Sequence, residues 1–370
     1  TPNATCSPAS SCRSSFLRTL PRKPHPPANG RRFVATNAVP YTAFGNDCRF
    51  REGCYSMKRA LVASAGLLTA AALVLSGCSD DGGGSSSGGK PTVVTSTNVW
   101  GSVASAVAGN DAEVTALFTN SADDPHEFEP SASDTAKVAD ASVILMNGGH
   151  YDEYMEQAAK NSSGTVINAF DIMEGGHEES TEETGTDEGH SHEVNEHVFY
   201  NLAVVGQVAT KLGEALAAKD SAHAETYRTN ALRFNTELAA VRNQVSQIKA
   251  AHNGTKVAQT EPLAGYLLTE AGLSDVSPAG FTAAVEEGQS PSAADRAALQ
   301  DLLTSRTVKA FIYNTQAVDT VTEALLTVAQ GAKVPVVKFT ETLPDGVSDY
   351  VVWQRGQVEA LANALNSSGA

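Results

Sequence analysis

The sequence predicts an α/β protein in two lobes, each a small, mainly parallel sheet with flanking helices, joined by one long backbone helix. Three observations carry this expectation. At 370 residues the chain is long enough for two domains or one domain in two lobes with a sizeable core. From Pro91 onward, short β-branched runs alternate with helical stretches, the pattern of parallel sheets. Between the two halves, Ala224, Tyr227, Ala231, Phe234, Leu238, Val241, Val245 and Ile248 recur at alternating intervals of three and four residues. That spacing makes one continuous apolar stripe on a helix.

Taken in order, residues 1–56 are rich in Pro, Ser, Arg and Asn without apolar periodicity, and are expected to be a non-native extension upstream of the true start. Met57-Lys58-Arg59 then precede an apolar run from Ala60 to Leu75 that ends Leu75-Ser76-Gly77-Cys78. A short basic region, an apolar stretch of about 15 residues and small residues at its end describe a secretory signal over 57–78. The stretch is short for a membrane span. Residues 79–90 read as a flexible Gly/Ser tether.

The N-terminal lobe is expected over 91–219, with strands at Thr92–Thr97, Glu113–Phe118, Val143–Met146 and Thr165–Asn168. The linking helix occupies 220–252: Asp220 and Ser221 offer an N-cap and Asn253-Gly254 a stop. Helix over 221–250 spans about 45 Å. The C-terminal lobe, 253–370, carries strand candidates Lys256–Gln259, Asp275–Ser277, Lys309–Tyr313 and Val334–Phe339.

Charge and cysteine usage narrow the function. The net charge is −16, yet residues 1–78 hold ten basic and two acidic side chains, leaving 79–370 with 16 basic against 40 acidic. A body that acidic does not bind nucleic acid through its general charge and is suited to attracting cations. All five cysteines (Cys6, Cys12, Cys48, Cys54, Cys78) precede the acidic body. Any metal held there is therefore bound through His, Asp and Glu.

In open parallel sheets, ligands bind beyond the carboxyl ends of the strands. Four metal-capable side chains fall at such places or at the start of a helix. His126 lies in Asp123-Asp124-Pro125-His126-Glu127-Phe128-Glu129-Pro130, and His197 in Asn195-Glu196-His197-Val198. Glu261 follows Gln259-Thr260, and Glu341 lies in Phe339-Thr340-Glu341-Thr342. Two come from each side of the linking helix, so a site between the lobes can gather all four. Two imidazoles and two carboxylates suit a divalent ion.

These motifs resemble those of the substrate-binding lipoproteins of bacterial zinc and manganese ABC importers, the cluster A-I or zinc-uptake-protein-like family. His126–Asp134 (His-Glu-Phe-Glu-Pro-Ser-Ala-Ser-Asp), with Ala139-Asp140-Ala141 and Asn147-Gly148, is similar to that family's first ligand motif, and Asn195-Glu196-His197 to its second. Gln259-Thr260-Glu261 falls where zinc-binding members usually place a His and manganese-binding members a Glu. Thr340-Glu341-Thr342 falls where most members have an Asp; Asp345 is the fallback for that position. The resemblance implies a non-enzymatic receptor with the metal in the cleft, zinc favoured and manganese the alternative, that delivers to an ABC permease and its ATPase. Residues 57–78 resemble a bacterial lipoprotein signal, which implies acylation of Cys78 and a protein anchored by lipid on the extracytoplasmic face of the cell membrane; a monomer is expected.

The segment Glu174–Glu196 carries three His (His177, His190, His192) and nine acidic residues. It is expected to be a mobile loop, either for solvation or, resembling the His-rich loop of zinc importers, as an accessory metal collector. A metallohydrolase is disfavoured: in His192-Glu193-Val194-Asn195-Glu196-His197 the two His are five apart, which puts them on different helical faces. A lipoprotein adhesin is the other alternative. If His126 and His197 coordinate the ion, affinity is expected to fall between about pH 7 and 5, near the ordinary imidazole pKa.

Overall fold

A computed structural model of the chain describes residues 89–175 and 195–367. Cys78 with its signal, and His177, His190 and His192, lie outside the described residues.

The first half contains β1 (Thr92–Thr97), α1 (Asn98–Ala108), β2 (Glu113–Phe118), α2 (Ala132–Ala139), β3 (Val143–Met146), α3 (Glu153–Ala159), β4 (Thr165–Asn168), α4 (Ala169–Gly175) and α5 (Leu202–Lys219). After α6 (Ala224–His252) come β5 (Lys256–Gln259), α7 (Gly265–Glu270), β6 (Ser274–Asp275), α8 (Ala279–Glu286), α9 (Ala293–Thr304), β7 (Phe311–Asn314), α10 (Thr320–Gly331), β8 (Val336–Phe339) and α11 (Tyr350–Ser367). The strands pair in parallel in the orders β2-β1-β3-β4 and β6-β5-β7-β8, so the halves repeat one topology. The central strands explain themselves: β3, Val-Ile-Leu-Met, is buried throughout, as a strand covered on both faces must be.

The predicted stripe is the buried face of α6 from Tyr227 through Ala231, Phe234, Leu238, Val241 and Val245 to Ile248, with Ala224 at the helix start only half-buried. Its 29 residues run about 44 Å. Each large apolar side chain so buried contributes about 1.5–3 kcal/mol. The expected cap is displaced. Asp220 ends α5, and its carboxylate accepts from Ala222 N, His223 Nδ1 and the Tyr227 hydroxyl, so α6 starts three residues later than expected. Asn253 and Gly254 (φ +74°) stop the helix as expected, glycine supplying the left-handed turn.

The main core does not respect the halves. Trp100 of α1, Phe234 of α6, Phe339 of β8 and Tyr350 and Trp353 of α11 belong to one cluster, so the end of the chain packs back onto the first half. Polar links reinforce that seam. Ser102 Oγ donates to Ser348 O at 2.9 Å and accepts from Tyr350 N at 2.8 Å. A smaller core around Phe281, Leu299, Phe311 and Tyr313 serves the second sheet alone. Among the described residues, no helix is long and apolar enough to cross a membrane.

Candidate metal centre

The segments that follow β2, β3, β5 and β8, and the last residue of β7, meet in the cleft between the sheets, where parallel topology places ligand sites. His126 sits in a 3-10 turn, Pro125–Glu127, that Asp124 caps: its Oδ1 accepts from His126 N at 2.9 Å. Proline at the first turn position lacks the N–H that would go unpaired there. The Asp-Pro-His run therefore fixes the backbone that aims the imidazole.

His197 is held by Asn195. Asn195 Oδ1 accepts from His197 N (2.9 Å) and from His197 Nδ1 (3.0 Å), while its Nδ2 donates to Pro262 O at 2.7 Å. Those partners orient the amide, so Nδ1 of the neutral imidazole carries the hydrogen and Nε2 presents its lone pair. Glu341 is braced three ways. Its backbone N donates to Gln316 Oε1 (2.7 Å), Asn314 Nδ2 donates to its Oε1 (2.7 Å), and the Tyr151 hydroxyl donates to its Oε2 (3.0 Å). Tyr151 gets there through a turn after β3 in which Gly148, Gly149 and His150 all have positive φ (76°, 66° and 77°).

The structure brings three of the four expected ligands together. Nε2 of His126 and of His197 lie 3.2 and 3.7 Å from Glu341 Oε2, and one ligand atom from each of the three residues falls within 4.8 Å of the other two. His197 is fully buried, Glu341 is 1% exposed, and His126 borders solvent at 22%. Both Nε2 atoms are buried without a hydrogen-bond partner.

Glu261 is not part of this group. It is buried, but its Oε1 accepts from Asn314 Nδ2, the amide that also holds Glu341, and it belongs to neither candidate ligand cluster. Of the four expected ligands, His126, His197 and Glu341 are grouped and Glu261 stands outside the group. Asp345 is exposed and accepts from Ser121 Oγ at 2.6 Å, apart from both clusters.

Two residues not singled out from the sequence face the imidazoles instead. Glu286, the last residue of α8, puts Oε1 3.6 Å from His197 Nε2 and 4.0 Å from His126 Nε2. Glu196 Oε1 lies 3.6 Å from His126 Nδ1, and His126, Glu196 and Glu286 form a second cluster of possible ligands. Glu196 was expected in the acidic loop, yet Asn147 Nδ2 donates to its carbonyl at 2.7 Å and fixes it beside the cleft. Glu174, also expected there, lies in α4.

The electrostatics follow from this crowding. Burial opposes the charge on His126, but Glu341, Glu196 and Glu286 outweigh it and raise its pKa to about 10. Burial likewise opposes charge on His197, and Glu286 and Glu341 raise it. Burial would raise Glu341, but the two imidazoles hold its carboxyl well below the usual range. Burial, only partly offset by His197 and His126, pushes Glu286 up to about 7. Glu261 is raised well above the usual range by burial and then by the Glu341 charge. Imidazole nitrogens and carboxylate oxygens crowded this closely make a cluster whose charge either protons or a divalent cation would neutralise.

Comparison with known proteins shows the family and the fold. The family model described as zinc-uptake complex component A, periplasmic (ZnuA), matches residues 93–364. The zinc-binding lipoprotein AdcA of Streptococcus pneumoniae is 24% identical over 314 residues, which cover 82% of this chain and 61% of AdcA. The chain therefore spans less than two thirds of that relative's length. The high-affinity zinc uptake system protein ZnuA of Bacillus subtilis is 26% identical over 260 residues, covering 67% of this chain and 80% of its own. Among solved structures, a mutant of the laminin-binding adhesin Lmb of Streptococcus agalactiae matches with TM-score 0.60 at 20% identity, over 75% of this chain and 100% of that one. The binding protein FpvC of Pseudomonas aeruginosa, in complex with Mn2+, matches with TM-score 0.59 at 20% identity, over 76% and 100% of the two chains. At such identities the structural likeness speaks for the fold.

Proposed function

The chain belongs to the zinc-uptake complex component A family, and from that premise we propose that it is the extracytoplasmic receptor of a metal ABC importer. It captures a divalent cation, zinc in preference, in the cleft between the sheets and delivers it to a membrane permease driven by an ATPase. The observation that carries this reading is the pair of buried, unpartnered Nε2 atoms of His126 and His197, both directed at Glu341. A buried polar atom without a partner is costly unless a ligand satisfies it. Imidazole nitrogen with carboxylate oxygen is a donor set that zinc takes readily.

Support for zinc comes from relatives described as zinc-binding or zinc-uptake proteins. Manganese is the second reading, favoured by the carboxylate-rich surroundings of the imidazoles, because oxygen donors suit that ion. Acylation of Cys78 would hold the receptor at the outer face of the membrane as a monomer. The lipid chains supply the two-signal anchoring that one chain does not.

A competition titration of the full chain against a chromophoric chelator tests the proposal. One equivalent of zinc is expected to bind tightly in the parent, with affinity lost by orders of magnitude in His126→Ala and His197→Ala. Parent protein that never withdraws zinc from the chelator, or alanine variants that bind like the parent, would overturn the reading.

A further inference from the structure

We infer that Glu286 is the fourth metal ligand and that Glu261 is a buttress behind Glu341. The inference rests on the receptor reading above and changes the ligand set that the sequence implies.

Glu286 faces the same two imidazole nitrogens as Glu341, and it shares a candidate ligand cluster with His126 and Glu196. Ligands about 2.0–2.1 Å from a tetrahedral ion stand about 3.4 Å from one another. His126 Nε2 and His197 Nε2 lie 3.2 and 3.7 Å from Glu341 Oε2, and 4.0 and 3.6 Å from Glu286 Oε1. These separations, 3.2 to 4.0 Å, bracket the edge of that tetrahedron, so Glu286 and Glu341 both stand beside the same imidazole pair. The Glu286 carboxylate is also uncommitted, because its second oxygen, Oε2, is buried and has no hydrogen-bond partner. Fully buried His197 aims its own unpartnered Nε2 toward it.

Glu261, by contrast, is occupied. Asn314 Nδ2 donates to Glu261 Oε1 and to Glu341 Oε1, so Glu261 pins the amide that pins the ligand. Charge points the same way. Two neutral imidazoles and two carboxylates make a neutral centre with a divalent ion, and a neutral buried centre escapes most of the desolvation penalty.

This assignment divides the donors by lobe. Both nitrogens come from residues before α6 and both carboxylates from residues after it. Parting the sheets would break either both nitrogen bonds or both oxygen bonds together, a simple route from tight capture to release.

The test measures zinc and manganese affinities of the full chain, each metal alone against a chelator, in the parent and in Glu286→Gln, Glu261→Gln, Glu286→His and Glu261→His. Melting of the metal-free proteins checks that each variant folds. Glu286→Gln is expected to lose at least about tenfold more zinc affinity than Glu261→Gln, as removal of a ligand exceeds removal of a support. Glu286→His should widen the zinc-over-manganese ratio, since nitrogen replaces oxygen at the ion. Glu261→His should leave that ratio near the parent's. The reverse pattern, or a Glu286→Gln variant that binds like the parent, overturns the assignment and leaves the receptor reading standing. A parent that binds neither metal defeats the receptor reading itself.

Discussion

The Tyr151 hydroxyl, carried by the first half of the chain, donates to Glu341 Oε2 in the second half at 3.0 Å. The bond joins the lobes at the oxygen that faces both imidazoles, and Tyr151 is itself buried beside His126, with ring centroids 4.7 Å apart. Groups that orient a metal ligand typically contribute 10–100-fold in affinity.

Tyr151→Phe keeps the ring and deletes the donor. Zinc affinity is expected to fall about tenfold, while the metal-free melting temperature changes little because the ring packing is retained. Chelator competition and thermal melting read the two effects separately. Unchanged affinity would mean that Asn314 and Gln316 position Glu341 without help.

The pH dependence should extend above the window expected from the sequence. The carboxylates around His126 raise its pKa to about 10, so at pH 7 an ion bound there as proposed would have to displace a proton. Affinity should climb from pH 7 to 9 by about one decade per unit for each proton released. Below about pH 7, protonation of Glu286 steepens the loss. Stability of the metal-free protein has the opposite sign. The folded pKa of His126 exceeds its unfolded value of about 6.5, so its contribution is full below that pH and fades as pH rises through about 10. Zinc titrations at pH 7, 8 and 9 check the first part and melting curves the second. A flat affinity across that range would contradict a protonated imidazole.

The fold was legible where the pattern is local. The runs at β1 through β5 and the α6 stripe match the structure because β-branched burial and three-four spacing are properties of neighbours in sequence. The expected strand at Asp275–Ser277 instead spans Ser274–Asp275, because Ser277 leaves the ladder and spends its hydroxyl on Asp275 and Gln259 O. His126, His197 and Glu341 stood out because each follows a strand or opens a turn. Glu286 carries no such mark: it ends an eight-residue helix of ordinary composition, and only lobe packing sets it against His197. Glu196 looked like one more loop acid, since the Asn147 amide that fixes it is 49 residues away.

The stripe on α6 makes a sharp contrast available between two neighbouring positions. Phe234 is 4% exposed in the main core and Leu232 is 69% exposed on the opposite side. Phe234→Ala should cost about 3–5 kcal/mol of stability, the range for emptying a buried aromatic site. Leu232→Ala should stay within about 0.5 kcal/mol. Denaturant unfolding of the metal-free variants gives both numbers, and equal effects would mean that α6 does not bury the face assigned to it.

Asn195 offers the last and most direct check on how the imidazoles are prepared. Its Oδ1 accepts from both the backbone N and the ring Nδ1 of His197, and its Nδ2 reaches Pro262 O, next to Glu261. Asn195→Ala removes the acceptor that keeps hydrogen on Nδ1 and leaves the buried ring free to choose the other tautomer, which has no lone pair at Nε2. Zinc affinity should fall about 10–100-fold, the usual scale for losing an orienting partner. Asn195→Asp restores an acceptor for Nδ1 but not the donor to Pro262, so it should recover most of that loss if the tautomer is what counts. If aspartate recovers nothing while alanine is impaired, the bridge to Pro262 rather than the ring is what Asn195 maintains. Affinities of the three proteins, measured side by side with the same chelator, separate the two roles of one side chain.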